Sequence, residues 1–198
     1  HHQLALLAQK GVSHVILCVG YLGEIIEQYV GNGSHYHLNV AYAYDGDKLL
    51  GTGGAIRKIG SSLPESFFVL YGDSYLDIDF RQVETAYRTS GMKGLMTVFK
   101  NDDRWDASNV IFQNNELIKY SKKHKTREMN YIDYGLGILS KNVFNTFPND
   151  MVFDLAAVYE QLSGEKQLFG YEVSERFYEI GSQKGLSDLS EKLSGNKK

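Results

Sequence analysis

Chemistry in this chain first suggests itself at Tyr71-Gly72-Asp73-Ser74-Tyr75-Leu76-Asp77-Ile78-Asp79. The carboxylate of Asp73 follows Phe67-Phe68-Val69-Leu70, an unbroken apolar run too short for a confident helix and suited to a strand buried on both faces. A carboxylate just past the C-terminal end of such a strand lies where open α/β sheets bind ligands. With no basic residue beside it in sequence, it suits a hard cation such as Mg²⁺ carrying phosphates. The alternative is that Asp73 only shapes a turn. Glu179, in Tyr178-Glu179-Ile180-Gly181, repeats the pattern of short strand, carboxylate, glycine and helix. Two carboxylates at strand ends can share one ion; taken alone, Glu179 also reads as an exposed strand-edge residue.

Three further stretches carry candidate groups. Gly51-Thr52-Gly53-Gly54 precedes a helix, where glycines let backbone N–H groups approach a ligand and the helix N-terminus favours anions. No Gly-Lys-Ser/Thr follows, so it is not a Walker motif, and a plain turn is the simpler account. Lys119-Tyr120-Ser121-Lys122-Lys123-His124-Lys125 is strongly basic: either a solvated loop or a segment with one lysine on a phosphate. Asp133 is placed to accept hydrogen bonds from sugar hydroxyls, or simply ends a strand. Asp77-Ile78-Asp79 matches the D-x-D metal spacing of glycosyltransferases, although helix capping accounts for Asp79.

The elements that must position these groups alternate at first. Helices are expected over residues 2–10 and 21–30, the latter with Leu22, Ile25, Ile26 and Tyr29 on one face, and strands over 14–19, 38–44 and 66–71. A short helix follows the glycine turn. Another starts at a capping box of Asp79 and Gln82, with Phe80, Val83 and Tyr87 at helical spacing. This alternation argues for a doubly wound parallel sheet. Strands at 94–99, 109–112, 117–120 and 131–139 then come without long helices between them, an antiparallel addition. A short helix over 140–147, another marked by Leu155, Val158, Tyr159 and Leu162, and strands at 167–173 and 177–180 follow. Ser182 is a plausible N-cap for a last helix through Leu186, Leu189 and Leu193, and the polar residues 194–198 are expected to fray.

At 198 residues the chain can bury a real core and is expected to be a single domain, 1–198. A net charge of -3 supports neither nucleic-acid nor membrane-surface binding. No apolar run approaches a bilayer span and no signal peptide is visible, so a cytoplasmic location is the expectation. The lone cysteine, Cys18, lies inside Val15-Ile16-Leu17-Cys18-Val19 and is expected in the core.

Taken in order, Tyr44-Asp45, Leu50-Gly51-Thr52-Gly53-Gly54-Ala55, Leu70-Tyr71-Gly72-Asp73, Tyr120-Ser121-Lys122-Lys123, Ile132-Asp133-Tyr134-Gly135 and Tyr178-Glu179-Ile180-Gly181 resemble the sugar-1-phosphate nucleotidyltransferases over nearly the whole chain. These make activated sugars such as GDP-mannose, GDP-heptose, UDP-N-acetylglucosamine and dTDP-glucose. The resemblance implies a Rossmann-like, mostly parallel sheet with an antiparallel addition, a nucleotide-binding half over 1–90 and a sugar-binding half over 91–198. It implies attack by a sugar 1-phosphate on the α-phosphorus of a nucleoside triphosphate, with Mg²⁺ as cofactor and pyrophosphate released, in a pathway such as cell-surface polysaccharide synthesis. Asp45, Leu50, Gly51, Thr52 and Gly53 would lie along the base and ribose. Asp73 and Glu179 would hold the metal, Lys123 would contact the sugar phosphate, and Asp133 with Gly135 would face the sugar.

Three departures accompany it. The family's Glu-Lys pair reads Lys122-Lys123. Glu179 stands where the metal-binding residue is usually Asp. The opening glycine-rich signature, with its cations for the triphosphate, and the first strand have no counterpart, so His1 matches a point some way into a typical member. A truncated chain is therefore expected: inactive alone, and with unpaired edges on the strands at Val15–Val19 and Phe67–Tyr71. Lys123 is expected to face the cleft, and Lys122 and Lys125 to be solvated. A nucleotide-sugar-dependent glycosyltransferase using Asp77 and Asp79, or a non-catalytic sugar-nucleotide binding module, are the alternatives.

Overall fold

The computed structural model describes residues 1–195. Its contacts divide the chain into two compact units, His1–Ser66 with Lys141–Tyr159, and Phe67–Ser140 with the stretch from Glu160 onward. Residues 141–159 return to the first unit. There the Lys141 N–H donates to the Glu65 carbonyl at 2.9 Å, and Arg57 Nε to the Phe147 carbonyl at 2.9 Å.

The first unit holds α1 (His2–Gln9), β1 (His14–Val19), α2 (Gly23–Val30), β2 (Asn39–Tyr44) and α3 (Gly51–Lys58). β1 and β2 run parallel, in register from His14 opposite Asn39 to Val19 opposite Tyr44. Leu4, Leu6, Leu7, Val19, Val30, Tyr36, Leu38, Val40, Ala55 and Ile56 are among its buried apolar residues. Among the described residues β1 pairs on one side only, and it alternates between exposed and half-buried positions up to the buried Val19, so it is not the buried strand its apolar run suggests. Cys18 is exposed rather than in the core. The apolar face of α2 is exposed as well, with Ile25 and Tyr29 at 59% and 68%.

The second unit takes β3 (Ser66–Leu70, from Phe67), β4 (Ser74–Tyr75), α4 (Phe80–Ser90), β5 (Gly94–Lys100), β6 (Val110–Gln113), β7 (Glu116–Tyr120), β8 (Tyr131–Ser140), α5 (Ala156–Gly164, from Glu160), β9 (Leu168–Val173), β10 (Tyr178–Glu179) and α6 (Gln183–Gly195). Its six-stranded sheet runs β7-β6-β8-β5-β9, with β3 also pairing β8. β5 lies parallel to β9 and antiparallel to β8, and β6 is antiparallel to β7 and β8. The antiparallel addition thus forms the expected strands. β3 is half-buried along its whole length rather than buried on both faces. The 140–147 segment is a 3-10 turn, Lys141–Thr146, not an α-helix.

The core of this unit sits on β5, where Leu95, Met96, Thr97 and Val98 are fully buried and the Thr97 hydroxyl donates to the Leu136 carbonyl at 2.6 Å. The β5–β8 register shifts between Met96 and Val98, and Gly135 on β8 takes φ +93° there. Such a bulge re-aims neighbouring side chains. A Cβ at Gly135 would also lie 3.1 Å from Ser74 Oγ, so glycine permits both the backbone angle and the approach of β4. Asp79 caps α4, accepting from the N–H groups of Arg81 (2.9 Å) and Gln82 (3.3 Å). The Gln82 amide donates to the Asp79 carboxylate rather than closing a full capping box on its backbone. Ser182 caps α6 as expected, its Oγ accepting from the Gly185 N–H at 2.9 Å. Ser194 and Gly195 continue that helix instead of fraying, and 196–198 lie outside the described residues. No helix among the described residues is long and apolar enough to cross a membrane.

Candidate active site

A cavity of about 780 Å³ opens in the second unit. Its walls come from the turn after β3, the loop between β5 and β6, the turn after β7, β8 at Ile132–Gly135, and the segment from Arg176 into α6. Asp73, Asp133, Gly135 and Glu179 all line it. Asp45, Leu50, Gly51, Thr52 and Gly53 belong to the first unit.

The two carboxylates meet because β4 and β10 form a two-residue antiparallel ladder, Ser74 opposite Glu179 and Tyr75 opposite Tyr178. The Ile180 N–H extends the pairing to the Asp73 carbonyl at 3.0 Å. A Cβ built at Gly181 would lie 3.1 Å from Glu179 Oε2 and 3.6 Å from Asp73 Oδ2. Both carboxylates therefore border one small cradle that stays open because residue 181 is glycine. Two hard oxygen ligands suit Mg²⁺, which keeps several waters and is completed by substrate phosphates rather than by an all-protein cage. Among the described residues no group of three or more His, Cys, Asp or Glu gathers as a metal cluster. Glu179 is also fixed from behind: its Oε1 accepts the Ser182 hydroxyl at 2.6 Å and its Oε2 the Ser182 N–H at 3.0 Å. A carboxylate has about four lone-pair sites, so each oxygen retains one for an ion. Gly185 lies flush against this arrangement, and a Cβ there would collide with the Glu179 carboxylate and carbonyl.

The basic segment differs from expectation. Lys122 and Lys125 line the cavity; Lys123 does not. The cause is the anchor of the turn: Glu160 Oε1 accepts both the Ser121 hydroxyl and the Lys122 N–H at 3.0 Å, while Ser121 Oγ accepts the His124 N–H at 3.1 Å. With Ser121 buried and so held, positions 122 and 125 share the cavity side of the turn and 123 is left outside. Lys125 Nζ pairs with Asp103 at 2.8 Å. That lysine, with Ser108, holds the Asp103 carboxyl down at about 2. On β8, Asp133 Oδ1 accepts the Gly135 N–H at 2.9 Å, and the Asp133 N–H donates to Asn109 Oδ1 at 2.9 Å. Asp77 and Asp79 do not line the cavity, and Asp79 is committed to its helix cap, so the D-x-D reading has no geometry to support it.

In the first unit the glycine turn does open α3, but its N–H groups face the chain itself. Those of Gly53 and Gly54 donate to the Phe153 carbonyl at 3.0 and 3.3 Å. Thr52 Oγ1 accepts the Leu155 N–H at 2.9 Å. Asp45 Oδ2 accepts the Leu50 N–H at 3.0 Å, and Lys58 Nζ donates to the carbonyls of Tyr44 and Asp45. These bonds tie Asp45 to the turn it precedes.

Residues 1–185 match the nucleotidyl transferase family along almost the whole chain. The chain belongs to that family. The chain is 28% identical over 141 residues to the D-glycero-alpha-D-manno-heptose 1-phosphate guanylyltransferase of Campylobacter jejuni, covering 71% of this chain and 61% of that one. It is 26% identical over 168 residues to the UTP–glucose-1-phosphate uridylyltransferase of Synechocystis (77% and 43%). To the mannose-1-phosphate guanylyltransferase catalytic subunit beta of Xenopus tropicalis it is 25% identical over 189 residues (92% and 52%). The chain spans about half the length of the curated relatives it matches. HddC of Yersinia pseudotuberculosis shares the fold, with a TM-score of 0.79 at 20% identity over 96% of this chain and 83% of that one. The mixed sheet is thus the fold expected of the family.

One part of the cavity wall escaped sequence reasoning. Asn101-Asp102-Asp103-Arg104-Trp105-Asp106-Ala107-Ser108-Asn109 matches none of the motifs singled out in the sequence, yet it is tightly built. Asn101, fully buried, donates from Nδ2 to the Asp106 carbonyl (2.7 Å) and Ser108 Oγ (3.0 Å) and accepts the Trp105 N–H (3.3 Å). Ser108 and Asp103 exchange two further bonds. The signal available was the chain's single tryptophan set among these polar residues.

Proposed function

We propose that the protein transfers a nucleotidyl group from a nucleoside triphosphate to a sugar 1-phosphate, giving an NDP-sugar and pyrophosphate. The observation that carries this reading is the convergence of Asp73 and Glu179 on the Gly181 cradle at the wall of the cavity. Bound Mg²⁺ would supply charge neutralisation on the phosphate oxygens. Asp73 and Glu179 hold that ion, and Lys122, beside the paired Lys125, meets the phosphate of the sugar substrate. Asp133 and Asn109 offer hydrogen bonds to sugar hydroxyls. Asp45 and the turn from Leu50 to Gly53 serve the nucleotide. Such a reaction relies on positioning and charge more than on a protein acid or base. The product is an activated sugar, made in the cytoplasm for cell-surface polysaccharide. The names of the relatives, each a sugar-1-phosphate nucleotidyltransferase, support the substrate class.

The test is Mg²⁺-dependent release of pyrophosphate from a nucleoside triphosphate and a sugar 1-phosphate, in the native protein and in Asp73→Asn. The Asn variant preserves shape and removes charge, so turnover should vanish with little change in Tm. Full activity in that variant refutes the metal assignment. Release of nucleoside diphosphate instead of pyrophosphate moves the protein to the glycosyltransferases.

A further inference from the structure

The strand that carries Glu179 is a weak hold for a backbone that must keep a carboxylate in one place. β10 is only two residues long, paired with a strand of the same length, and so short a ladder is not stable by itself. The chain after Glu179 is secured by Ser182 and Gly185 on α6. The chain before it is secured by Arg176. Its guanidinium carbon lies 3.6 Å from the centroid of the Trp105 ring and 4.8 Å from that of Tyr178, and its Nη2 donates to Asp188 on α6. The side chains of Arg176 and Asp188 are 30% and 24% exposed, so the pair is less screened than a surface ion pair. A guanidinium suits this place because it stacks on aromatic faces while its edge pairs a carboxylate. Trp105 is offered by a loop whose own hydrogen bonds run through Asn101, Asp103 and Ser108, and its indole ring takes Arg176 at 3.6 Å, with Lys184 Nζ farther off at 5.7 Å.

We propose that Trp105, Arg176 and Asp188 form a clasp that positions Glu179 for the metal ion, so that ion binding and the Trp105–Arg176 stack are coupled. The proposal rests on the reading of Asp73 and Glu179 as metal ligands. Both flanks of Glu179 are tied to α6: through Arg176 to Asp188, and through Ser182 and Gly185. The adjacent Tyr178 ring lies against the same guanidinium. A shift of Glu179 towards an ion is therefore transmitted to the face of Trp105. The three are positioning residues, acting on the ion through Glu179.

Trp105 is the only tryptophan, so its emission reports the clasp directly. The protein is titrated with Mg²⁺ while emission is followed, and binding is measured separately by calorimetry with Mg²⁺ and Mn²⁺. In the native protein the emission change should share its midpoint with the calorimetric curve, and Glu179→Gln should abolish both. Arg176→Lys and Asp188→Asn, checked for native circular dichroism, should bind the ions about tenfold more weakly, the lower end of what loss of an outer-shell partner produces. Their emission should no longer follow the ion. Native-like affinity and an intact emission response in both variants overturn the clasp while the metal reading stands. Absence of calorimetric binding to the native protein overturns the metal reading, and the clasp with it.

Discussion

The assignment of the phosphate lysine makes the sharpest test of the cavity. Adjacent lysines, 122 and 123, carry the same charge and are both exposed, so any difference between them arises from direction. Glu160 pins Ser121 and the Lys122 N–H, and this turns Lys122 into the cavity and Lys123 out of it. A hydrogen bond to a charged group contributes about 1.5–3 kcal/mol, and 1.36 kcal/mol is a factor of ten. Lys122 is exposed and Lys125 lies on the same wall, so the lower figure applies, and Lys122→Ala should weaken sugar 1-phosphate binding about tenfold. Lys123→Ala, removing a solvated charge, should change it less than about twofold. Calorimetric titration with mannose 1-phosphate and glucose 1-phosphate measures both variants against the native protein. In a turnover assay the same split should appear in the KM for the sugar phosphate and not in that for the nucleotide. Equal losses in both variants, or a greater loss at Lys123, refute the argument from direction.

Gly181→Ala tests the cradle without disturbing the fold. The new methyl lies 3.6 Å from Asp73 Oδ2, an ordinary contact, and 3.1 Å from Glu179 Oε2, a tight one that the Glu179 side chain relieves by a small shift, so Tm should fall little while Mg²⁺ binding measured by calorimetry is lost. Gly185→Ala, by contrast, collides with the Glu179 carbonyl and should lower stability by about 1–3 kcal/mol, a fall in Tm of roughly 2–12 °C for a chain of this size. The Asp103 anchor carries a pH dependence. Lys125 holds the Asp103 carboxyl at about 2, below the ordinary value near 3.9, so its contribution is whole above about pH 4 and is lost as pH falls through about 2. In Asp103→Asn the anchor is absent at every pH, and Trp105 emission at pH 7 should already stand at its acid position; an unchanged emission profile counts against the anchor.

The elements that were legible in the sequence are those whose stability is largely local. The period of Phe80, Val83 and Tyr87 and the cap at Asp79 specify α4, and the bonds to Arg81 and Gln82 follow. Ser182 likewise announces α6. The strands at Val15–Val19 and Phe67–Leu70 were legible as strands but not in their burial. An apolar run states a preference for cover, while cover itself is supplied by tertiary neighbours, and among the described residues β1 has a partner on one side only. The return of residues 141–159 to the first unit was not legible at all. It depends on pairings such as Arg57 with Phe147 and Leu50 with Phe153, roughly a hundred positions apart, and no local pattern encodes those.

The site divides along the same line. Asp73 and Glu179 were legible because strand, carboxylate and glycine form a syntax that the backbone enforces: a ladder ending at each carboxylate brings the two ends together, and Gly181 leaves the space between them. Their pairing needed only that the two short strands be neighbours. Trp105 and Arg176 have no such syntax. One lies in a polar loop and the other between two strands, 71 positions away, and what joins them is a stacking contact that leaves no periodicity in either segment. Lys122 and Lys123 show the limit most clearly, because composition, charge and spacing are the same for both. Only Glu160, a helix residue 38 positions from Lys122, separates them. A carboxylate that accepts a backbone N–H acts on direction and not on charge, and direction is what decides which lysine a phosphate can meet.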